Sequence, residues 1–207
     1  VGELWEDLIK KRKPLDSVSL PDTNSLHTII YTSGTTGTPK GVMHTASNFM
    51  ESSSTLITLF SLPNNLRLFS YLPLAHVAER LLINAGVVLG ATISFAESLE
   101  TFAKELEANQ PHLFFAVPRI WTKFREKILE SVAQKKLNML LKIPLLNTLI
   151  KNKLKKKLGL KEAVFIASAA APIAADMVIW YKKLGITIHQ GYGMTEDCCV
   201  SHFNTPN

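Results

Sequence analysis

Apolar positions along the chain fall into two kinds of run. Residues 26–31, 67–72, 92–95, 113–117, 163–167 and 186–189 are short and rich in β-branched or aromatic side chains, and each predicts a strand; the first reads as a buried one. Between them, residues 45–60, 79–89, 99–109, 119–136 and 174–184 carry apolar side chains at helical spacing or as longer apolar stretches. A short helix is expected over residues 3–12, followed by a polar, proline-containing connector to about Asn24. Turn residues separate the elements: Leu62-Pro63-Asn64-Asn65 closes one helix, Pro73 ends a strand and Gly90 stops another helix. Strands alternating with helices predict an α/β fold with mainly parallel sheets and helices on both faces. Ligands of such sheets bind beyond the carboxyl ends of strands. Two loops, residues 32–41 and 190–196, leave strand ends in this reading.

A hydrophobic fraction of 46% and a charged fraction of 19% fit an ordinary globular protein. No apolar run reaches the length that would span a bilayer as a helix. The start, Val1-Gly2-Glu3-Leu4-Trp5, lacks the pattern of a signal peptide and an initiator Met, so the chain is expected to be a piece of a longer one. Cys198 and Cys199 are neighbours and give no disulfide framework, which makes a reducing cytoplasm the expected location and small buried thiols the expected role.

Charge alters this picture in one place. Between Lys135 and Lys161 there are nine lysines and no acidic residue; without them the chain holds fourteen basic against seventeen acidic side chains, a net of −3. The positive charge is therefore one local feature, which argues against a general nucleic-acid-binding surface. Leu137, Leu140, Leu141, Ile143, Leu145, Leu146, Leu149, Ile150 and Leu154 interleave with these lysines. Such a segment suits peripheral contact with a membrane, or a solvated basic helix capping the core.

Candidate chemistry concentrates in Thr32-Ser33-Gly34-Thr35-Thr36-Gly37-Thr38-Pro39-Lys40-Gly41, which holds three glycines, five hydroxyls and one lysine. Glycines let backbone N–H groups turn inward around phosphate oxygens, hydroxyls add donors, and Lys40 adds a point charge. The spacing does not fit the P-loop pattern, since Pro39 precedes Lys40 and Gly41 follows it. The same composition also suits a surface turn.

Three further stretches are informative beside this loop. They are Tyr71-Leu72-Pro73-Leu74-Ala75-His76, Ser168-Ala169-Ala170-Ala171-Pro172 and Gln190-Gly191-Tyr192-Gly193-Met194-Thr195-Glu196. Together and in this order the four resemble the adenylate-forming superfamily, which includes acyl-CoA synthetases, luciferases and peptide-synthetase adenylation domains. The resemblance spans residues 31–196 and implies the central part of that family's large AMP-binding domain, without its C-terminal catalytic-lysine domain. Val117-Pro118-Arg119-Ile120-Trp121 with Lys123 resembles the long-chain fatty acyl branch.

The resemblance implies roles residue by residue. Thr32, Ser33, Gly34, Thr35, Thr36, Gly37 and Lys40 would hold the β- and γ-phosphates of ATP. Ala169, Ala170, Ala171, Tyr192 and Gly193 would line the adenine, with Ala169 standing where the family usually has glycine. Thr195 would bond the α-phosphate and Glu196 would hold Mg²⁺, which prefers hard oxygen ligands. His76 would stabilise charge near the substrate carboxylate, and Gly191 would give room at the acyl-pocket wall. His76, Thr195 and Lys40 are thus the candidate catalytic groups, with ATP, Mg²⁺ and CoA as cofactor and co-substrates and a fatty acid as substrate. The reaction implied is acyl-adenylate formation with release of pyrophosphate, then thioester formation. A ribose-binding aspartate and the C-terminal lysine would lie downstream, so little activity is expected from the 207 residues alone. A ligase feeding a carrier protein, or a non-catalytic nucleotide- or membrane-binding module, are the alternatives.

Overall fold

The computed structural model describes residues 4–20, 22–34, 37–60, 62 and 65–204. Helix α1, Trp5–Lys10, precedes a hairpin of β1, Leu26–Thr32, and β2, Lys40–Thr45. Then come α2, Ala46–Leu59; β3, Arg67–Ser70; α3, Val77–Val88; β4, Thr92–Phe95; α4, Phe102–Asn109; and β5, Leu113–Ala116. The second half holds α5, Pro118–Ser131; α6, Gln134–Leu140; α7, Leu146–Lys157; β6, Phe165–Ser168; α8, Ala175–Lys183; and β7, His189–Tyr192. A 3-10 turn at Thr195–Asp197 and a short β8, His202–Phe203, complete the described chain.

Six strands form one sheet in the order β4-β3-β5-β6-β7-β8, parallel except where β8 runs antiparallel to β7. Alternation along each strand divides the core between two faces. Phe114 and Ile166 pack with Phe102, Leu106, Trp121, Phe124, Tyr181 and Leu184 on the face covered by α4, α5 and α8. Their neighbours Leu113, Phe165 and Ala167 pack with Leu68 and Leu89 on the face covered by α2 and α3. The α/β class expected from the pattern is the one observed. Among the described residues no helix is long and apolar enough to cross a membrane.

Three expectations need correction, and one strand was not expected. Residues 26–31 are not a buried strand: β1 is largely exposed and pairs only with β2, antiparallel, and an apolar run suits either role. The helix expected over 119–136 breaks at Val132, whose φ of −149° and ψ of 118° are extended, so α5 and α6 are separate. The strand expected at 186–189 lies later: Ile186 and Ile188 are buried, but the pairing runs over His189–Tyr192 and takes in the glycine-containing motif. Residues 40–45 form a strand that the pattern did not reveal. The turn around residue 63 lies partly outside the described residues, as does the start of the helix expected over 3–12.

Polar joints fix the end of the sheet away from the strand carboxyl ends. Gln110 closes α4 in a left-handed conformation, φ 49°, and Arg67 donates from Nε to Asn109 O and from Nη2 to Gln110 O, each at 3.0 Å. These guanidinium bonds satisfy carbonyls a helix leaves unpaired at its end. The Gln110 side chain donates to Lys156 O at 2.6 Å and accepts from Lys161 N at 3.0 Å, tying the end of α7 to α4.

Candidate functional site

Two of the four motifs meet where β6 and β7 end. The turn after β6 and the motif on β7 enclose a hollow of about 450 Å³, lined by Ser168, Ala170, Ala171, Pro172, Gln190, Gly191, Tyr192, Gly193, His202, Phe203 and Asn204. Tyr192 is 61% exposed, its ring open to a partner on one face. Gly193 is there for space: a Cβ would stand 2.5 Å from the Cα of Cys199. At Gly191 a Cβ would meet the Phe203 ring at 2.4 Å. The buried hydroxyl of Ser168 has no hydrogen-bond partner among the described residues, and Ser168 belongs to this wall.

The Ala169–Ala171 turn divides between two spaces. Ala169 does not line the hollow with Tyr192, contrary to its expected place beside the adenine. It lines a smaller apolar hollow of about 100 Å³, with Leu56, Leu81, Leu82, Ala85, Leu113, Phe115 and Phe203. Strand alternation alone would put Ala169 and Ala171 on one side of the sheet; the left-handed backbone of Ala170 between them, φ 68°, breaks that alternation. Ala170, Gly193 and Phe203 belong to both spaces, so the two share a wall. The conformationally demanding position is Ala170, at φ 68°, not Ala169.

The loop from Thr32 to Gly41 is the hairpin connection between β1 and β2. Gly34 has φ 61°, and a Cβ there would fall 2.5 Å from the Thr38 carbonyl oxygen; Gly37 has φ 80°. Thr32 Oγ1 donates to Lys40 O at 3.5 Å across the base of the loop. Ser33 and Lys40 are exposed, and the Lys40 ammonium has no ion pair among the described residues. Thr35 and Thr36 lie outside the described residues.

Strand β2 packs against the turn that carries Thr195 and Glu196, which brings the strand following the 32–41 loop to the Gln190–Glu196 motif. The join is a buried contact that the motifs do not include. His44, 1% exposed, holds Nδ1 3.4 Å from Cys198 Sγ and sits edge-on to Phe49. Asp197 accepts from Met194 N at 2.9 Å and closes the turn. That leaves the Glu196 carboxylate exposed and without a hydrogen bond among the described residues. Burial raises both thiols, that of Cys199 to about 12, with the Asp197 charge adding in the same direction. They are packing groups at neutral pH, as expected, not nucleophiles.

His76 is the residue that starts α3. Its ring is exposed and makes no hydrogen bond among the described residues. It lines neither hollow, although the first turns of α3 behind it contribute Ala78, Leu81 and Leu82 to the apolar one. The segment around it rests on a residue that sequence reasoning missed. Glu79, 1% exposed, accepts from Leu72 N at 3.3 Å, and burial raises its carboxyl above the usual range against bonds from Ser70, Leu72 and Tyr71. The Tyr71 hydroxyl donates to Phe115 O at 2.7 Å and is itself raised by burial, then by Glu79. Ser168, Gln190 and His202 were also missed as lining residues. The first two sit inside quoted motifs, whereas His202 reaches the site only through the β7–β8 pairing.

Among the described residues no cluster of three or more His, Cys, Asp or Glu side chains could hold a metal ion. The donor set fits a different kind of site, in which one carboxylate, Glu196, shares a Mg²⁺ with ligand phosphates.

Open strand ends with a glycine-dependent hollow beside them are the features of the α/β folds that bind ligands at strand carboxyl ends. The chain belongs to the AMP-binding enzyme family, whose model matches residues 3–207. Fatty acyl-CoA synthetase B of Dictyostelium discoideum is 30% identical over 94% of this chain and 32% of its own length. The peroxisomal long chain acyl-CoA synthetase 7 of Arabidopsis thaliana is 31% identical over 93% of this chain and 30% of its own. The chain therefore spans about a third of the length of these curated relatives. Among solved structures, the A-PCP didomain of a carboxylic acid reductase from Segniliparus rugosus, in complex with AMP, superposes with a TM-score of 0.66. It is 25% identical and the match covers 89% of this chain and 26% of that one.

Proposed function

We propose that this chain supplies the ATP-binding and acyl-adenylating part of a long-chain fatty acid–CoA ligase. The observation that carries the reading is the shared wall. The hollow beside Tyr192, which carries Ser168, Gln190, His202 and Asn204, and the apolar hollow beside α3 meet at Ala170, Gly193 and Phe203. One ligand can therefore place an adenylate in the first and the start of an acyl chain in the second.

In this reading adenine lies on Tyr192 against the Ala170–Ala171 turn, and the Ser168 hydroxyl supplies a donor or acceptor to it. Thr195 donates to the α-phosphate. Ser33, Gly34, Gly37 and Lys40, with Thr32, Thr35 and Thr36, close on the β- and γ-phosphates. Glu196 would hold Mg²⁺, which would supply neutralisation of phosphate charge. His76 faces the developing charge as the carboxylate oxygen attacks the α-phosphorus and the bond to pyrophosphate breaks. Positioning and charge neutralisation carry this step, with no covalent group from the protein. The acyl group then passes to the thiol of CoA, and AMP leaves.

Naming of both curated relatives as acyl-CoA synthetases supports the fatty acid and CoA assignments. The solved relative with a PCP domain favours a second acceptor, a carrier-protein thiol, for the same adenylate. ATP–pyrophosphate exchange by a longer protein that carries this chain together with the C-terminal domain, with palmitate or acetate as acid, tests the first step. Exchange with palmitate and little with acetate is expected; exchange with acetate alone would contradict the acyl assignment. Thioester formation from the palmitoyl adenylate with CoA, compared with a carrier protein, then decides the acceptor.

A further inference from the structure

The lysine-rich segment folds into α6 and α7, joined by a turn that turns apolar side chains outward. Leu146 N donates to Pro144 O at 2.7 Å, and Leu145 between them has φ 67° and ψ −51°. This three-residue turn is strained and rare for a bulky side chain. Its consequence is a leucine 85% exposed, with Leu149 66% exposed one helical turn later and Ile143 exposed beside it. Ile150 and Leu154 of α7 pack toward the core. The opposite face reads Leu145, Leu149, Lys153 and Lys156, at the i, i+4, i+8 and i+11 positions of one stripe. The outward surface is thus apolar at the start of α7 and cationic toward its end. Lys142, Lys153 and Lys156 are exposed and make no ion pair among the described residues, and no acidic side chain lies between Lys135 and Lys161.

A second hollow, about 410 Å³, opens next to the turn and is lined by Asn138, Leu141, Lys142, Asn147 and Lys183. Its two ammonium groups can donate to an anionic oxygen group. The Asn147 amide oxygen is buried there without a hydrogen-bond partner among the described residues.

We infer that this turn docks on an anionic phospholipid surface. Ile143, Leu145 and Leu149 enter the boundary between headgroups and acyl chains, Lys153 and Lys156 lie against the headgroups, and Lys142 with Lys183 receives a lipid phosphate. A nucleic acid would engage the lysines and leave the exposed leucines without a use. A lipid surface takes both at once, and the pairing of an apolar insertion with a basic patch is what reversible membrane binding requires. Lys183 lies in the last turn of α8, which returns from the site to the start of β7. The docking turn therefore sits at the end of the sheet away from the hollow at Tyr192, which stays open when the turn is engaged. This assignment is independent of the reaction proposed above.

Co-sedimentation of the protein with vesicles of equal parts phosphatidylcholine and phosphatidylserine, beside pure phosphatidylcholine vesicles, tests it. The variants are L145S/L149S and K142E/K153E/K156E, each first checked by thermal unfolding. Binding to the mixed vesicles, little to the neutral ones, and a loss of at least about ten-fold in each variant are expected. High salt should weaken the wild-type binding. Equal binding to both vesicle types, no wild-type binding, or binding untouched by L145S/L149S would overturn the inference. So would retention on duplex DNA that depends on the lysines and not on the leucines. Should the leucine variant unfold, the lysine variant and the neutral vesicles still decide.

Discussion

Ala170 holds a left-handed conformation, φ 68°, at the wall common to the two hollows, and its methyl group makes that conformation unfavourable by roughly 1–2 kcal/mol. Glycine there removes the conflict but also frees the unfolded chain, so the net gain for Ala170→Gly is about 1 kcal/mol. Urea unfolding should show a raised midpoint at unchanged slope; a lower midpoint would mean the methyl contacts outweigh the backbone. Glu79 gives a pH test with a definite sign. Burial raises its carboxyl in the folded state, so the folded protein keeps that proton to higher pH than the unfolded chain does. Stability from this group is complete below the unfolded carboxylate range and is lost as pH rises through the folded value. Glu79→Gln cannot ionise, so its melting temperature should gain on the wild type as pH rises from acid to neutral. A gap that stays constant or narrows would show that Glu79 is charged when folded.

At the scale of elements, the strands were legible where the sheet buries both faces. The stretch Leu113–Ala116 is one continuous apolar run because helices cover it on each side. The same logic misled at Leu26–Thr32, where an apolar run serves an exposed hairpin. It was silent at Lys40–Thr45, which opens with lysine and glycine and gives no strand pattern. Strand β7 was placed three residues early because His189 and Gln190 pair with β6 while Gly191 and Tyr192 owe their strand state to pairing with β8, a long-range cause no local pattern carries. The candidate site divides in the same way. Lys40, Tyr192, Thr195 and Glu196 were legible as motif residues, whereas the His44–Cys198 contact that joins hairpin to turn links positions 154 residues apart. The joint between α4 and α7 supplies the prediction at this scale. Gly159 has φ 72°, and a Cβ would fall 2.3 Å from the Leu106 carbonyl oxygen. Gly159→Ala should therefore cost about 3 kcal/mol, since backbone strain and a backbone collision coincide. Chemical denaturation measures it, and a cost below about 1 kcal/mol would mean the joint yields easily.

For the whole molecule, the two proposed functions lie at opposite ends of the six-stranded sheet. The hollow and the Thr195–Asp197 turn follow β6 and β7, with β2 of the separate hairpin packed on that turn, while the basic turn between α6 and α7 lies beside the last turn of α8. Substitutions at the basic turn should accordingly leave nucleotide binding unchanged, and substitutions at Lys40 or Glu196 should leave vesicle binding unchanged.

The central claim is that the hairpin loop, the 195–197 turn and the hollow at Tyr192 form one MgATP site. Thermal unfolding with and without MgATP, for the wild type beside Lys40→Ala, Glu196→Ala and Tyr192→Ala, tests it most directly. At a hundred times its dissociation constant a ligand stabilises the folded state by about 2.7 kcal/mol. For a chain of this size that is a rise of roughly 5–10 °C. The account predicts that rise in the wild type and a smaller one in all three variants. A wild type that does not shift, or variants that shift as much as it does, would contradict the account.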